Sequence, residues 1–423
     1  MVQMRTAIPI EDAIRRVMES ESNGLVEYVQ LTEALGRFLA EDVIADQDVP
    51  AFNRSLYDGY AIKAEDTRGE LPVDFEVIGK IGAGDVFSGR VEAFQAVRIM
   101  TGAQVPADCN AVVMLEHVES HIEEDGRIYI TVQEVVPYGE RVFFKGKEVQ
   151  AGSCMVKKGT AITPGVVGLL ATFGYSKVAV SKRPIVGVLA TGSELLEIDE
   201  PLYPGKIRNS NSYMLVSQIE RAGGEAVFLG IIEDDFEKSL SAVRAALEKV
   251  DILITTGGVS VGDYDYMPDI YKGLGATVLF NKVAMRPGSV TTVAKRGRQL
   301  LFGLSGNPSA CYIGFELFVR PVIRKNLGSK QMHPACVKAM LTEDFPAPKA
   351  FTQLIRVKMS YEYSRVTVSS VGLNLSGSIT SLAGADALLV LMPREESYKQ
   401  GSEVPILLLS EREGQEQIRL GSD

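Results

Sequence analysis

Residues 251–266 read DILITTGGVSVGDYDY, and their texture decides how the chain folds. A short apolar run ends in Thr255 and Thr256, breaks at Gly257 and Gly258, and continues through Ser260 and Gly262 to Asp263 and Asp265. That order predicts a buried strand whose carboxyl end is bare backbone. Glycines there let the main chain approach a ligand closely, and successive N–H groups make a concavity suited to an anion. Carboxylates beside an anion repel it unless a hard cation such as Mg²⁺ lies between them. The stretch alone therefore points to a metal-bridged phosphate ester.

The same alternation extends outward. RPIVGVLATGSEL reads as a strand and a Gly turn, NSYMLVSQIERAGG as a helix closed by glycines, EAVFLGIIEDD as a strand and FEKSLSAVRAALEKV as a helix. After the opening stretch, DYMPDIYKGLG is helical, ATVLFNKVAMRPG and SVTTVAKRGRQLLFGLSG supply strands, and NPSACYIGFELFVRPVIRKNLG is a long helix. This predicts an α/β domain over residues 181–328: a largely parallel sheet with helices on both faces, binding ligands at the carboxyl ends of its strands. The flanks differ. Residues 1–50 with 139–180 read as an α+β domain, residues 51–138 as a mainly β insert, and residues 329–423 as a small β domain. Within the first, Ile10, Ile14 and Val17 recur at helical spacing, VEYVQL is a short strand, Thr32 with Leu35 and Leu39 suggests a second helix, and GVVGLLATFG a third after Pro164.

Composition narrows the function classes. A chain of 423 residues, 46% hydrophobic, has enough apolar material for several cores. The formal charge of −10 argues against broad nucleic-acid or membrane-surface binding. No apolar run reaches the roughly 18 to 20 residues of a membrane span and the N-terminus lacks a signal-type apolar segment, so a cytoplasmic location is expected. Cys109, Cys154, Cys311 and Cys336 are far apart and form no CxxC pair, so they are read as reduced, mostly buried thiols. His117 and His121 are spaced like helical metal ligands but fall in a strand-turn-strand pattern, which makes them edge residues.

Four strand ends of the α/β domain carry ligand-type residues. They are Thr191, Gly192, Ser193 and Glu194; Glu233, Asp234 and Asp235; the opening stretch; and Ser305, Gly306, Asn307 and Pro308. Each alone is also how a strand passes into a helix, since Asn at the N-cap and Pro at the first helical position simply start helices. Four at one end of one sheet are more than capping alone requires, and the start at Asn307 and Pro308, a helix N-terminus preceded by glycine, is itself an anion site. Lys282 and Arg286, four apart in a strand pattern, would share a face and suit a tetrahedral oxyanion. In the insert, Thr101 and Gly102 end a strand, and Asp58 stands before Gly59 in a pair that is also a hairpin signal. Without a candidate histidine base or cysteine nucleophile, the chemistry is electrostatic and metal-assisted.

In this order, PAFNRSLYDGYA, RIMTGAQVPADCNAVVM, GVLATGSEL, TTGGVSVGDYDY, KVAMRPG and FGLSGNPSACYIGFE resemble the molybdopterin molybdenumtransferase family, which includes MoeA and the E domain of gephyrin. The resemblance covers essentially the whole chain. It implies a homodimer that inserts molybdate into adenylylated molybdopterin with release of AMP, and a molybdopterin adenylyltransferase as partner. By similarity, Glu194, Asp235 and Asp265 would be the Mg²⁺ and catalytic carboxylates, joined by Asp58, Thr101, Lys282 and Arg286. Thr191, Gly192, Ser193, Gly257, Gly258, Ser260, Gly262, Gly306, Asn307 and Pro308 would bind the molybdopterin phosphate. Arg286, Pro287, Ser309 and Arg356 would face the oxyanion. The chain departs from the commonest pattern at Ala310 and Ser289, where serine and lysine are usual, and carries Arg286 where lysine is frequent. A nucleotide phosphotransferase is disfavoured by the absence of a G-x-x-x-x-G-K-[ST] run. A binding-only scaffold would have no need of the acids.

Overall fold

The computed structural model describes residues 6–19, 24–258, 267–362 and 365–409; Ser260, Gly262, Asp263 and Asp265 lie outside the described residues. The chain forms two compact units. One comprises Met1–Ala40, Lys158–Thr163 and Lys177–Asp423, the other Glu41–Lys157 and Pro164–Ser176.

The first unit contains the α/β domain. Its elements are β1 (Ile185–Thr191), α1 (Ser210–Ala222), β2 (Glu225–Ile232), α2 (Phe236–Leu247), β3 (Ile252–Thr256), α3 (Met267–Gly273), β4 (Thr277–Phe280), β5 (Thr292–Arg296), β6 (Gln299–Leu304) and α4 (Pro308–Gly314). The sheet order is β2-β1-β3-β6-β5-β4. β2, β1, β3 and β6 are mutually parallel, while β5 runs against both β6 and β4. Burial on both faces explains the near-continuous apolar run of β3. Ile252 and Ile254 join the core with Leu215 and Ile219 of α1, whereas Leu253 faces Val243 of α2 and Ile270 of α3. Successive strand side chains alternate in this way by geometry. α1 starts at Asn209, whose side chain accepts from Ser212 N, and ends at Gly223 with φ of 96°.

The sequence predicts one strand from Ala276 to Arg286, with Lys282 and Arg286 on a common face. Instead β4 ends at Phe280, the Lys282 carbonyl accepts from Ile8 N at 3.2 Å, and Met285–Arg286 pairs in parallel with Thr352–Gln353 of the C-terminal sheet. The chain has left one sheet for another, so the two cations share no strand face.

The C-terminal strands Cys336–Leu341, Thr352–Glu362, Arg365–Ser370, Ala387–Leu391 and Glu403–Leu408 close on themselves, because Ala387–Leu391 pairs with both Thr352–Glu362 and Glu403–Leu408. Closure removes the exposed edges of a small sheet. The expected N-terminal helix is present as Ile10–Met18, with Ala13 and Val17 buried. The second N-terminal helix is not. A single turn, Leu31–Glu33, is followed by Gly36 at φ of 74°, after which Phe38 and Leu39 bridge to Ala161 and Val180. Gly36 in the left-handed region stops the helix before its apolar face can form.

The second unit holds a six-stranded sheet in the order Ala111–Met114, Gly59–Ile62, Gln95–Ile99, Val73–Ile81, Ile128–Val132, Val118–Ile122, the β texture expected of the insert. The helix after Pro164 also forms, as Pro164–Thr172. The thiols depart from expectation by half. Cys109 and Cys311 are buried, but Cys154 and Cys336 are exposed, because each sits on a short strand with an open face.

Candidate functional site

The strands β1, β3 and β6 end side by side, and a cavity of about 70 Å³ opens at their carboxyl ends. Four residues singled out in the sequence line it: Thr191, Glu194, Gly306 and Pro308. Gly257 lies beneath. A Cβ there would meet the Thr191 carbonyl oxygen at 2.3 Å, and φ is 94°, so close approach and backbone conformation both require glycine. Glu194 folds back over the end of β1, since a Cβ on Gly192 would stand 2.5 Å from its Oε2. Ser193 N donates to Asp234 Oδ2 at 3.0 Å and Asp234 N to Ser193 Oγ at 3.3 Å, which ties the ends of β1 and β2 together.

Sequence reasoning missed the cavity's second wall. Arg208, Asn209, Ser210 and Asn211 line it at the start of α1, delivered by the two-residue strand Ile207–Arg208 that pairs with Leu195–Leu196. Asn211 Nδ2 donates to Gly306 O at 2.8 Å and to Thr256 Oγ1 at 3.1 Å. Among the described residues no group bonds Asn211 Oδ1 or Asn209 Nδ2, although both atoms are buried. Unpaired buried polar atoms are costly, and here they flank the N–H groups of a helix start. The signal was present as RNSNSY, but an Asn- and Ser-rich helix start reads as ordinary capping. A cavity this small is far below the roughly 300–1,000 Å³ that encloses a drug-sized ligand, so it suits one compact polar group. Arg208 at the rim and a helix N-terminus on its wall make an anion the group best suited to it.

Asp235, expected to be a metal carboxylate, caps a helix. It is the N-cap of α2, with Oδ1 accepting from Lys238 N at 2.8 Å. Thr191 pairs with Ile232 across β1 and β2, so Glu194 and Asp235 each follow that pair by three residues, and both are exposed. Their carboxylate oxygens are of the kind a hard divalent cation takes. Among the described residues no cluster of three or more metal-ligating side chains occurs.

The expected oxyanion residues stand apart from the cavity wall. Arg286 is exposed, with its guanidinium 5.6 Å from the Phe351 ring centroid; Lys282 and Pro287 are half-buried. Asn307 starts α4, and Ser309 is fully buried, its N–H donating to Ser376 O at 3.0 Å and its hydroxyl to Ser378 O at 2.6 Å. Arg356 is 1% exposed. Its Nε donates to Ser381 Oγ at 2.9 Å, and its Nη2 to the carbonyls of Leu373 and Leu375 at 2.9 and 3.1 Å. Arg356 therefore organises the 372–379 loop, which Ser309 anchors to the start of α4.

In the second unit, Asp58 is no hairpin turn; Gly59 opens a strand and a Cβ there would strike the Val113 carbonyl oxygen at 2.0 Å. Asp58 Oδ1 accepts from both Thr101 N and Thr101 Oγ1 at 2.7 Å, so two residues 43 apart in sequence meet. Those two bonds, backbone first and side chain second, hold the Asp58 carboxyl below its ordinary pKa. A depressed carboxylate stabilises the fold fully above the ordinary value of about 4 and loses that contribution as pH falls through the lower folded value. Thr101→Ala keeps the backbone bond and removes the other, so the Asp58 pKa is expected to rise part of the way back. An NMR titration of the Asp58 carboxyl checks this, and an unchanged midpoint would refute it. A larger cavity of about 540 Å³ in this unit contains His117, Glu134, Glu140 and Arg141 but none of the expected site residues. Its arginine is paired with Glu140 at 2.7 Å.

Comparison with known proteins bears on the family of the chain. Residues 8–174 match the MoeA N-terminal region (domain I and II), residues 187–325 a probable molybdopterin binding domain, and residues 338–409 the MoeA C-terminal region (domain IV). A molybdopterin molybdenumtransferase of Bacillus subtilis is 51% identical over 98% of this chain and 97% of its own length. One from Staphylococcus epidermidis is 44% identical over 99% of this chain and 100% of its own. The crystal structure of a molybdopterin biosynthesis MoeA protein from Pyrococcus horikoshii OT3 superposes with a TM-score of 0.81 at 31% identity, covering 96% of this chain and 100% of that one.

Proposed function

The chain belongs to the molybdopterin molybdenumtransferase family, and from that premise we propose that it inserts molybdate into adenylylated molybdopterin with release of AMP. The coarser activity, a transferase of molybdenum cofactor biosynthesis acting on molybdopterin and molybdate, comes with the family. The observation that carries the finer reading is the anion-sized cavity at the strand ends, walled by the start of α1 and bordered by Glu194. A pterin joined to AMP through a phosphoanhydride needs such a seat for its phosphate.

In this reading the N–H groups at the start of α1, the Gly257–Gly258 turn and Arg208 receive the pterin phosphate. Thr191, Gly306 and Pro308 shape the wall, Gly192, Ser193 and Asn307 adjoin them in the chain, and the resemblance gives the same phosphate-binding role to Ser260 and Gly262, which lie outside the described residues. Glu194 and Asp235, with Asp265, would hold Mg²⁺, which when bound screens the phosphoanhydride charge and raises the electrophilicity of its phosphorus. Lys282 and Arg286 draw the molybdate dianion out of water, with Pro287 shaping the turn after Arg286, while Ser309 and Arg356 fix the loop beside it. An oxygen of molybdate or water attacks the adenylyl phosphorus. The P–O–P link then breaks with its electron pair on the pterin phosphate, and AMP leaves with the incoming oxygen. The two dithiolene sulfurs bond molybdenum in place of one of its oxygens, which departs in AMP with the thiol protons passing to solvent when molybdate attacks, or as water carrying those protons when water attacks.

The proposal extends to assembly and place. A cytoplasmic homodimer is consistent with the family resemblance, as is supply of the substrate by a molybdopterin adenylyltransferase. Among the described residues no helix is long and apolar enough to cross a membrane. The proposal keeps the division into residues 1–50 with 139–180, 51–138, 181–328 and 329–423. The test is functional reconstitution. Product made from adenylylated molybdopterin, molybdate and Mg²⁺ should activate a molybdenum-free molybdoenzyme, and failure to activate it with folded protein would overturn the reading.

A further inference from the structure

α4 continues through a π-helical turn, Phe315–Val319, into the helix Arg320–Asn326. That turn places Glu316, with 0% exposure, against the C-terminal half of α1. Its Oε1 accepts from Gln218 Nε2 at 2.7 Å and from Arg221, and its Oε2 accepts from Arg320 Nη1 at 3.0 Å. Gln218 also reaches Tyr312 O at 3.3 Å, and Arg221 the Tyr312 hydroxyl at 3.3 Å. A buried carboxylate with three donors is expensive to assemble, and removing one partner leaves the rest uncompensated. Plain helix packing does not require it, because Leu215 and Ile219 already meet Cys311 and Phe315 in the core. π turns of this kind concentrate at functional sites.

The placement supplies a reason. Gln218 stands seven residues, about two turns, beyond Asn211 on α1. Asn211 bonds Gly306 just before α4, and Gln218 bonds Tyr312 and Glu316 further along the same helix. The two helices whose starts both line the cavity are thus tied at two levels, and a slide of one along the other would break both ties. We propose that Glu316 is a positioning residue that sets the axial register of these helices and so the width of the anion cavity. This rests on the reading of that cavity as the seat of the pterin phosphate.

The test is steady-state kinetics on the full-length protein with adenylylated molybdopterin and molybdate varied separately. Glu316→Gln keeps an acceptor but loses the charge that holds both arginines. It is expected to raise KM for adenylylated molybdopterin about tenfold, with kcat and the molybdate KM within about twofold, because a small misplacement of the wall weakens binding before chemistry. Gln218→Leu leaves both arginine pairs in place and guards against a misfolded first variant; it should shift the same KM in the same direction. Glu316→Asp should recover part of the loss. A variant that is merely less stable would melt earlier with an unchanged KM, and that result would overturn the proposal. Asn211→Ala, on the cavity wall itself, separates the two ideas. If it raises KM while Glu316→Gln and Gln218→Leu do not, the register role fails and the cavity reading stands; if it too has no effect, both fall.

Discussion

Asp235→Asn is expected to lower AMP release at least about hundredfold while leaving the thermal midpoint unchanged. The two halves of that result have different physical origins. Asparagine caps a helix as well as aspartate does, so the bond to Lys238 N survives and α2 keeps its start. The charge does not survive. A metal's electrostatic stabilisation of a phosphoryl transition state amounts to several kcal/mol, and each 1.4 kcal/mol or so is tenfold in rate. Asp235→Ala loses both the charge and the cap, and should also cost about 1 kcal/mol of stability. Should Asp235→Asn retain full activity with normal folding, Asp235 is a cap and nothing more, and the cation would rest on other carboxylates.

Arg356→Ala should have the largest effect on stability. It removes the donors to Ser381 Oγ and to the carbonyls of Leu373 and Leu375 from a site with almost no solvent access, and leaves a cavity where the guanidinium lay. Each unsatisfied buried group costs about 1–3 kcal/mol, and part of the loop can rehydrate through exposed Leu373 and Leu375, so a loss of about 3 kcal/mol is expected. Chemical denaturation of the full-length protein measures it. Activity should fall as well, since the freed loop no longer presents Ser376 and Ser378 to Ser309. Lysine should not rescue the variant, because a single ammonium cannot span three acceptors that a planar fork reaches. A stable, active Arg356→Lys protein would show that the charge alone matters there, as a direct oxyanion contact would require.

The α/β domain was legible because its two periodicities are strong. β3 is a continuous apolar run bounded by Gly257, and α1 ends on Gly223 as written. What sequence reading lost was non-local. Nothing near Phe280 announces that the chain exchanges one sheet for another, since Met285 and Arg286 become a strand only through Thr352 and Gln353. The barrel closes through pairing of Ala387–Leu391 on both edges, which no local pattern encodes. Gly36 was a local signal outweighed by the apolar spacing of Leu35 and Leu39. At the candidate site, Thr191, Glu194, Gly306 and Pro308 were found because they end strands, while Arg208, Asn209 and Asn211 were passed over because polar helix starts are common. Ser309 and Arg356 show the converse: residue types suited to an oxyanion whose hydrogen bonds go to a loop.

The most direct measurement is AMP release by the purified protein from adenylylated molybdopterin, with and without molybdate and Mg²⁺. One equivalent of AMP per pterin, released only when both are present and lost in Asp235→Asn and Glu194→Gln, is the expected result. Tight binding of the adenylylated pterin with no AMP release under any of these conditions would contradict the proposed reaction and leave the cavity as a carrier site.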